Sequence, residues 1–236
     1  MADVIYRAGA ADASALPDVA RLASDRTHGT LIRASAAEFA GQLIVKAGGA
    51  GGAGGAGGAG GAGRAGTVNA LIGAANDPEA QVRATAIRSL ALIVDERTTA
   101  VIAAHLTDAS RVVRVRAAEA LMDRGISRLD GAVGAALERA QSEWEESLRT
   151  FNDVARDEST LGWLEASRGR TREAVEALNY ASSIDPSDAQ PHVYLGVIAA
   201  RAGRFDDALK EFTTARSLQP GYPNLSRLIE EAQKRR

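Results

Sequence analysis

Small and apolar residues recur three or four positions apart over long stretches of the chain, with polar residues between them. In 136–150 (ALERAQSEWEESLRT), for example, Ala140, Trp144 and Ser147 fall on one side of a helix. This spacing is typical of amphipathic α-helices that pack through one face. The pattern predicts an all-α fold, an α-solenoid of antiparallel helix pairs.

The C-terminal third repeats itself at an offset of 34 residues. The matches are small residues, apolar residues and prolines: Leu161 with Leu195, Gly162 with Gly196, Gly169 with Gly203, Ala174 with Ala208, Leu178 with Phe212, Ala181 with Ala215 and Pro186 with Pro220. We expect the first glycines to allow close helix approach, the second to form the turn, and the prolines to end the second helix. The pattern resembles the tetratricopeptide repeat, with units at 155–188 and 189–222.

Two positions in the first helix of each unit depart from that family, which favours aromatic residues there. One position holds Glu158 and His192, and the other holds Glu165 and Ala199. The departure predicts looser packing in the first helices. The helix near 132–150 is interpreted as half of a degenerate repeat, and 223–235 (PNLSRLIEEAQKR) as a polar helix that caps the stack.

The middle of the chain has a different period, of 31 residues. The pattern D-x4-V-R-x2-A-x3-L starts at Asp77 and again at Asp108, and it resembles short HEAT-like repeats. We expect the Asp to cap the second helix of each pair and the Arg to extend towards the Asp of a neighbouring repeat. A weaker third copy lies in 25–40, where Arg33 corresponds to Arg83.

A Gly/Ala-rich tract separates this third copy from the others. Arg33 and Arg83 are 50 residues apart, and removing the 19 residues of 48–66 returns the 31-residue period, so the insertion is expected to preserve the stacking register. G-x-G-x-x-G occurs in the tract only because any GGA repeat contains it, so we interpret the tract as a flexible linker, with a polyproline-II-like segment as the alternative.

The predicted organisation is a HEAT-like repeat at 1–47, the linker at 48–66, two HEAT-like repeats at 67–131, a connecting helix at 132–154, two tetratricopeptide-like repeats at 155–222 and a capping helix at 223–236.

Composition narrows the function. A net charge of -2 without long basic runs argues against nucleic-acid binding, and no apolar stretch is long enough to predict membrane insertion. The chain lacks cysteine, its three histidines (His28, His105 and His192) are far apart, and no G-x-S-x-G is present. We therefore predict no metal site, no cofactor and no catalytic residues, and we interpret the acidic clusters as solvated helix faces.

The predicted partner-binding groove lies on the first helices of the tetratricopeptide-like pair. Its residues are Arg156, Ser159, Trp163, Ser167, Gln190, Val193, Val197 and Arg201. Trp163 is the expected anchor for a protein or peptide partner, since tryptophan offers a large contact area at low entropic cost; the alternative is that it packs on the preceding helix. The Lys and Asn set with which related domains clamp a terminal carboxylate is missing.

The order of elements, HEAT-like repeats followed by a long helix and tetratricopeptide repeats, resembles the C-terminal region of bacterial multihaem c-type cytochromes. That resemblance implies a periplasmic or extracellular location; without it, a cytoplasmic one is expected. No C-x-x-C-H is present, so electron transfer by this chain alone is excluded. The first hypothesis is a non-catalytic protein-interaction scaffold. The alternative is a structural or accessory region, of a multihaem cytochrome or an extracellular assembly, that self-associates through its Ala-rich N-terminal end. An enzyme that uses an unrecognised site is the third hypothesis.

Overall fold

The computed structural model describes residues 1–49, 59–150 and 154–236, and these form helices joined by short turns. The α-helices are α1 (Ala2–Gly9), α2 (Leu16–Ser24), α3 (Thr30–Gly49), α4 (Ala59–Ala74), α5 (Ala80–Ala91), α6 (Glu96–Ala104), α7 (Arg111–Asp123), α8 (Gly131–Arg149), α9 (Ala155–Ser167), α10 (Thr171–Ile184), α11 (Gln190–Arg201), α12 (Phe205–Leu218) and α13 (Leu225–Arg235). The chain divides into two compact units, 1–141 and 142–236. The predicted all-α repeat fold is confirmed.

The first unit stacks three helix pairs: α2 with α3, α4 with α5, and α6 with α7. The second helices pack side by side, α3 on α5 and α5 on α7. Their core is built from small residues and leucine or isoleucine, which permits close approach. The tightest point is Gly41, where an added Cβ would lie 2.6 Å from the Ser89 Cβ and 2.9 Å from the Ser89 Cα.

A ladder of two ion pairs, one buried and one partly buried, joins successive pairs of helices in this unit. Arg33 donates two hydrogen bonds of 2.9 Å to the carboxylate of Asp77, and Arg83 donates two of 2.8 Å to that of Asp108. Each arginine also donates to backbone carbonyls of the turn in its own repeat, as Arg83 does to Asp77 and Pro78. The prediction that each arginine reaches the next repeat's aspartate is confirmed.

The same ladder confirms that the Gly/Ala-rich tract preserves the stacking register. Arg33 and Asp77 are 44 residues apart in sequence, whereas Arg83 and Asp108 are 25 apart. The difference of 19 equals the length of the tract, so the tract adds chain without changing which residues meet.

Part of the segment predicted as a linker, 48–66, is helical in the structure. Helix α3 runs to Gly49 and α4 begins at Ala59, while the residues between them lie outside the described ranges. Although each glycine costs a helix about 1 kcal/mol relative to alanine, α4 is anchored by its buried residues Val68 and Leu71. Extending an existing helix adds one hydrogen bond per residue and costs less free energy than nucleating a new helix. Helix α4 therefore extends in the N-terminal direction into the Gly/Ala-rich tract.

Asp77 and Asp108 were expected to cap the helices that follow them, but they do not. Asp77 accepts a hydrogen bond of 2.9 Å from the backbone N–H of Glu79, and Asp108 accepts one of 2.8 Å from that of Ser110. Glu79 and Ser110 are themselves the residues that precede the first helical turns. Each aspartate therefore fixes the turn before its helix, because the carboxylate lies two residues too early to reach the first helical N–H groups.

The second unit contains the hairpins α9–α10 and α11–α12, followed by α13. An added Cβ at Gly162 would lie 2.6 Å from the Leu178 Cγ, and one at Gly196 would collide with the Phe212 ring. Gly169 and Gly203 have φ values of +81° and +74° in the turns, a conformation that favours glycine. The roles predicted for the glycines of both repeats are confirmed.

Candidate functional site

Three side chains form a stack on the first helices of the second unit. The rings of Trp163 on α9 and Tyr194 on α11 lie parallel within 19°, with their centroids 4.8 Å apart. The guanidinium of Arg201 lies over the Trp163 ring, 5.1 Å from its centroid. Gln190 donates a hydrogen bond of 2.8 Å to the Tyr194 hydroxyl, which fixes the tyrosine ring. The stack is therefore held from both ends of α11.

An apolar groove continues from this stack. Its volume is 200 Å³, and it is lined by Val197, Ala200, Arg201, Phe205, Phe212, Leu228, Glu231, Ala232 and Arg235. Arg201 belongs to both the stack and the groove. We define the α9–α11 face as Trp163, Tyr194, Val197 and Arg201. Two of these residues, Val197 and Arg201, also line the groove.

The eight residues predicted for the partner-binding groove differ in accessibility. Ser159 and Val193 are buried, and the Ser159 hydroxyl donates to the Ala155 carbonyl, so neither is placed to contact a partner directly. Arg156 and Arg201 are exposed, whereas Trp163, Ser167, Gln190 and Val197 are partly buried. The structure brings Trp163 and Arg201 into contact and places Val197 beside Arg201 in the groove.

The alternative interpretation of Trp163, packing on the preceding helix, does not account for the aromatic contact that it makes. Trp163 stacks on Tyr194, which belongs to the following first helix. Tyr194 was not among the predicted residues. The sequence does contain a signal for it, because Gln190, Tyr194, Val197 and Arg201 fall at positions i, i+4, i+7 and i+11, which form one stripe on a helix.

His192 takes part in a hydrogen-bond relay that the sequence did not indicate. The ring lies between the Ser182 hydroxyl, 3.2 Å from Nε2, and the Glu211 carboxylate, 2.8 Å from Nδ1. This is the order of a nucleophile, a base and an orienting acid. Ser182, however, lies in the last turn of α10, where the unpaired backbone groups are carbonyl oxygens that would oppose an oxyanion. The relay serves instead to join α10, α11 and α12.

Neither a metal site nor a membrane-crossing helix was found in the described part of the chain. Within residues 1–49, 59–150 and 154–236, no group of three or more His, Asp or Glu side chains could hold a metal ion. Among the helices in those same ranges, none combines the length and the apolar character needed to cross a bilayer.

Comparison with known families supports both predicted repeat types. Residues 56–151 match the model of HEAT repeats, and residues 166–232 match that of the tetratricopeptide repeat. No curated protein matches the sequence. Neither family is one of haem proteins, and the resemblance to multihaem cytochromes receives no support from these matches.

Several solved structures are similar to part of this chain. A crystal structure of MamA protein is 15% identical with a TM-score of 0.42, and the match covers 71% of this chain and 81% of that one. A structure of MamA MSR-1 C2 is 20% identical with a TM-score of 0.40, covering 70% and 82%. The function proposed below rests on the residues of this chain.

Proposed function

We propose that this protein is a non-catalytic interaction scaffold whose second unit binds a peptide segment of a partner on the α9–α11 face. The observation that carries the proposal is the stack of Trp163, Tyr194 and Arg201 beside an apolar groove. Aromatic and arginine side chains held rigidly at a partly exposed site lose little entropy on binding, which is the usual character of an interface hot spot. The presence of HEAT and tetratricopeptide repeats, families of interaction modules, agrees with this function.

The charges around the groove indicate which peptides it suits. Two arginines, Arg201 and Arg235, and one glutamate, Glu231, line the groove. Glu231 lies 3.8 Å from Arg227, whereas neither Arg201 nor Arg235 has a carboxylate partner among the described residues. The walls between them are apolar, with Val197, Phe205 and Leu228. A peptide with an apolar residue next to an acidic one could bury the apolar side chain in the groove and pair its carboxylate with an arginine. We therefore expect the peptides that bind to contain an apolar residue beside an acidic one.

Replacement of Trp163 by alanine should weaken peptide binding about tenfold or more, since it removes the largest ring of the stack. Peptides are first selected from a displayed random library on the full-length chain, and the affinity of the selected peptides is then measured for the Trp163→Ala variant by calorimetry. Circular dichroism should show unchanged helicity, because Trp163 lies on a partly exposed face rather than in the core.

Tyr6→Ala is the matched control, as Tyr6 is an aromatic residue with 77% of its surface exposed in the first unit. It should leave the affinity of the selected peptides unchanged. Peptides that bind the Trp163→Ala variant as tightly as the original chain would remove the α9–α11 face from the proposed function.

Self-association is the second candidate function, and one observation favours it. At the N-terminal end, Tyr6 and Leu31 expose 77% and 78% of their surfaces, which places them among the most exposed large apolar side chains of the described residues. If this end mediates contacts between copies, light scattering should show a molar mass that rises with concentration, and Leu31→Lys should lower it. A constant monomeric mass at high concentration would count against this candidate.

The association with a multihaem cytochrome stays a prediction from the order of the repeats. An open reading frame that places C-x-x-C-H motifs upstream of this chain would support it.

A further inference from the structure

A second pocket lies in the second unit, apart from the α9–α11 face. It has a volume of 340 Å³ and is lined by Arg149, Glu158, Leu161, Glu165, Glu173, Glu176, Ala177 and Tyr180. These residues belong to α8, α9 and α10, and none of them lines the apolar groove. The volume falls within the range of sites for small ligands, about 300–1,000 Å³.

The pocket occupies the places where the sequence departs from the tetratricopeptide pattern. Glu158 and Glu165 stand at the two positions where aromatic residues were expected. Both glutamates are buried, with 6% and 1% of their surfaces exposed. The predicted looser packing therefore takes the form of a cavity with acidic walls.

The two buried glutamates differ in their partners. Arg149 lies 3.1 Å from the Glu165 carboxylate, and Arg170 is in ion-pair contact with it from another side. The Glu158 carboxylate has neither a hydrogen bond nor an ion pair among the described residues. A buried charge without a partner is costly, so Glu158 is the group in the pocket that most needs a cationic partner.

The surrounding charges leave the pocket acidic. Arg149 is the one cation that lines it, and this arginine already pairs with Glu145 and Glu165. At the exposed rim, Glu176 is paired with Arg172, whereas Glu173 has no partner among the residues that the structure describes. The positive groups nearby are thus paired with other carboxylates, and Arg149 acts on the Glu158 carboxylate only through its charge, without an ion pair to it.

The remaining walls suit an alkyl chain. Leu161 and Ala177 provide apolar surface, and the ring of Tyr180 stands at the mouth with 49% of its surface exposed. A phenol ring attracts cations through its face, and its hydroxyl accepts hydrogen bonds. A ligand with a positive end and a short apolar stem would satisfy both the acid and the apolar walls.

We propose that this pocket binds a primary ammonium group on an alkyl chain, with Glu158 pairing with the ammonium and Leu161, Ala177 and Tyr180 enclosing the chain. A lysine side chain of a partner and a free diamine present the same chemistry. The site is independent of the peptide-binding face proposed above, since the two share no residue.

The test is a titration of the full-length chain with 1,4-diaminobutane, followed by NMR of the methyl groups and the Tyr180 ring. We expect saturable shifts at Leu161, Ala177 and Tyr180 with no shift at Trp163. The neutral analogue 1,4-butanediol should cause none of them. Glu158→Gln should weaken diamine binding at least tenfold, whereas Glu230→Gln, the same change on the exposed surface of α13, should have no effect.

A second arm distinguishes the source of the ammonium group. The peptide acetyl-Ala-Lys-Ala-amide is compared with its norleucine counterpart, which keeps the stem and loses the charge. Tighter binding of the lysine peptide than of the diamine would assign the pocket to a partner protein, and the reverse order would assign it to a free amine. Equal shifts with diamine and diol, or diamine binding that survives Glu158→Gln, would overturn the proposal.

A stability measurement shows that the Glu158→Gln variant is folded. Burial raises the pKa of Glu158, which means that the ionised carboxylate destabilises the fold. The glutamine variant should therefore melt at a higher temperature than the original chain at neutral pH. This advantage should disappear in acid, where the unfolded chain also holds the proton. Loss of amine binding together with higher stability cannot be explained by misfolding.

Discussion

Replacing Asp77 by alanine should destabilise the first unit by about 3–5 kcal/mol, the usual cost of removing one partner from a buried ion pair. Arg33 is 6% exposed and donates two hydrogen bonds of 2.9 Å to this carboxylate. Without Asp77 the guanidinium stays buried and loses both bonds, and the Glu79 N–H loses its acceptor as well. Urea denaturation followed by circular dichroism measures the loss in the free energy of unfolding.

The control for this variant is the same substitution in an exposed pair. Arg204 and Asp207 lie 3.0 Å apart, with side chains 57% and 58% exposed, so Asp207→Ala should change stability by less than about 1 kcal/mol. Removing both buried charges, in Arg33→Met with Asp77→Leu, should recover much of the loss. A loss no larger for Asp77→Ala than for Asp207→Ala would show that the ladder does not hold the repeats together.

The ladder also predicts how the first unit responds to acid. Burial raises the pKa of Asp77, but the hydrogen bonds from Arg33 and the Glu79 N–H outweigh it and hold that pKa below its ordinary value. A depressed pKa in the fold stabilises the fold at neutral pH, and the contribution is lost as the pH falls through the folded value. The difference in the free energy of unfolding between the original chain and the Asp77→Ala variant should therefore become smaller in strong acid.

Replacing Gly41 by alanine should destabilise the first unit by about 2 kcal/mol, although alanine is the better helix former. The added methyl group would lie 2.6 Å from the Ser89 Cβ and 2.9 Å from its Cα. A backbone atom cannot move aside as the end of a flexible side chain can, so α3 and α5 must separate. The shift would also strain the buried hydrogen bond of 2.8 Å from the Ser89 hydroxyl to the Ala37 carbonyl.

For Gly66→Ala, in the same unit, we expect stability to change in the opposite direction. Gly66 lies inside α4, and an added Cβ would meet nothing within 4 Å. The substitution should therefore stabilise by about 0.5–1 kcal/mol through helix propensity alone. Denaturation curves of the two variants should shift in opposite directions, and a shift of both towards higher stability would disprove the close approach of α3 and α5.

The features predicted correctly are those that a short segment specifies by itself. The aspartate and arginine of the HEAT-like pattern recur at fixed spacing, so their positions on the turn and on the second helix follow from one repeat. Stacking then brings the arginine of one repeat to the aspartate of the next. The turn glycines Gly169 and Gly203 were predictable for the same reason, since their conformation is a local requirement.

The features that were missed depend on which side chains meet across helices. The direction of the Trp163 ring is decided by Tyr194 and Arg201, which lie on another helix. The burial of Ser159 likewise depends on packing that periodicity alone does not specify. The helical conformation at the end of the Gly/Ala-rich tract, where α4 begins at Ala59, depends on the core residues downstream in α4, whereas the low helix propensity of glycine favoured a linker.

The most direct test of partner binding uses the two tryptophans of the chain, Trp144 and Trp163. Their indole N–H groups give two signals in a nitrogen–proton NMR spectrum, and Trp163→Phe assigns them. Trp144 is 5% exposed, whereas Trp163 is partly accessible in the stack with Arg201. A selected peptide should shift the Trp163 signal in a saturable manner and leave the Trp144 signal unchanged. Saturable peptide binding without any shift of the Trp163 signal would contradict the proposed function.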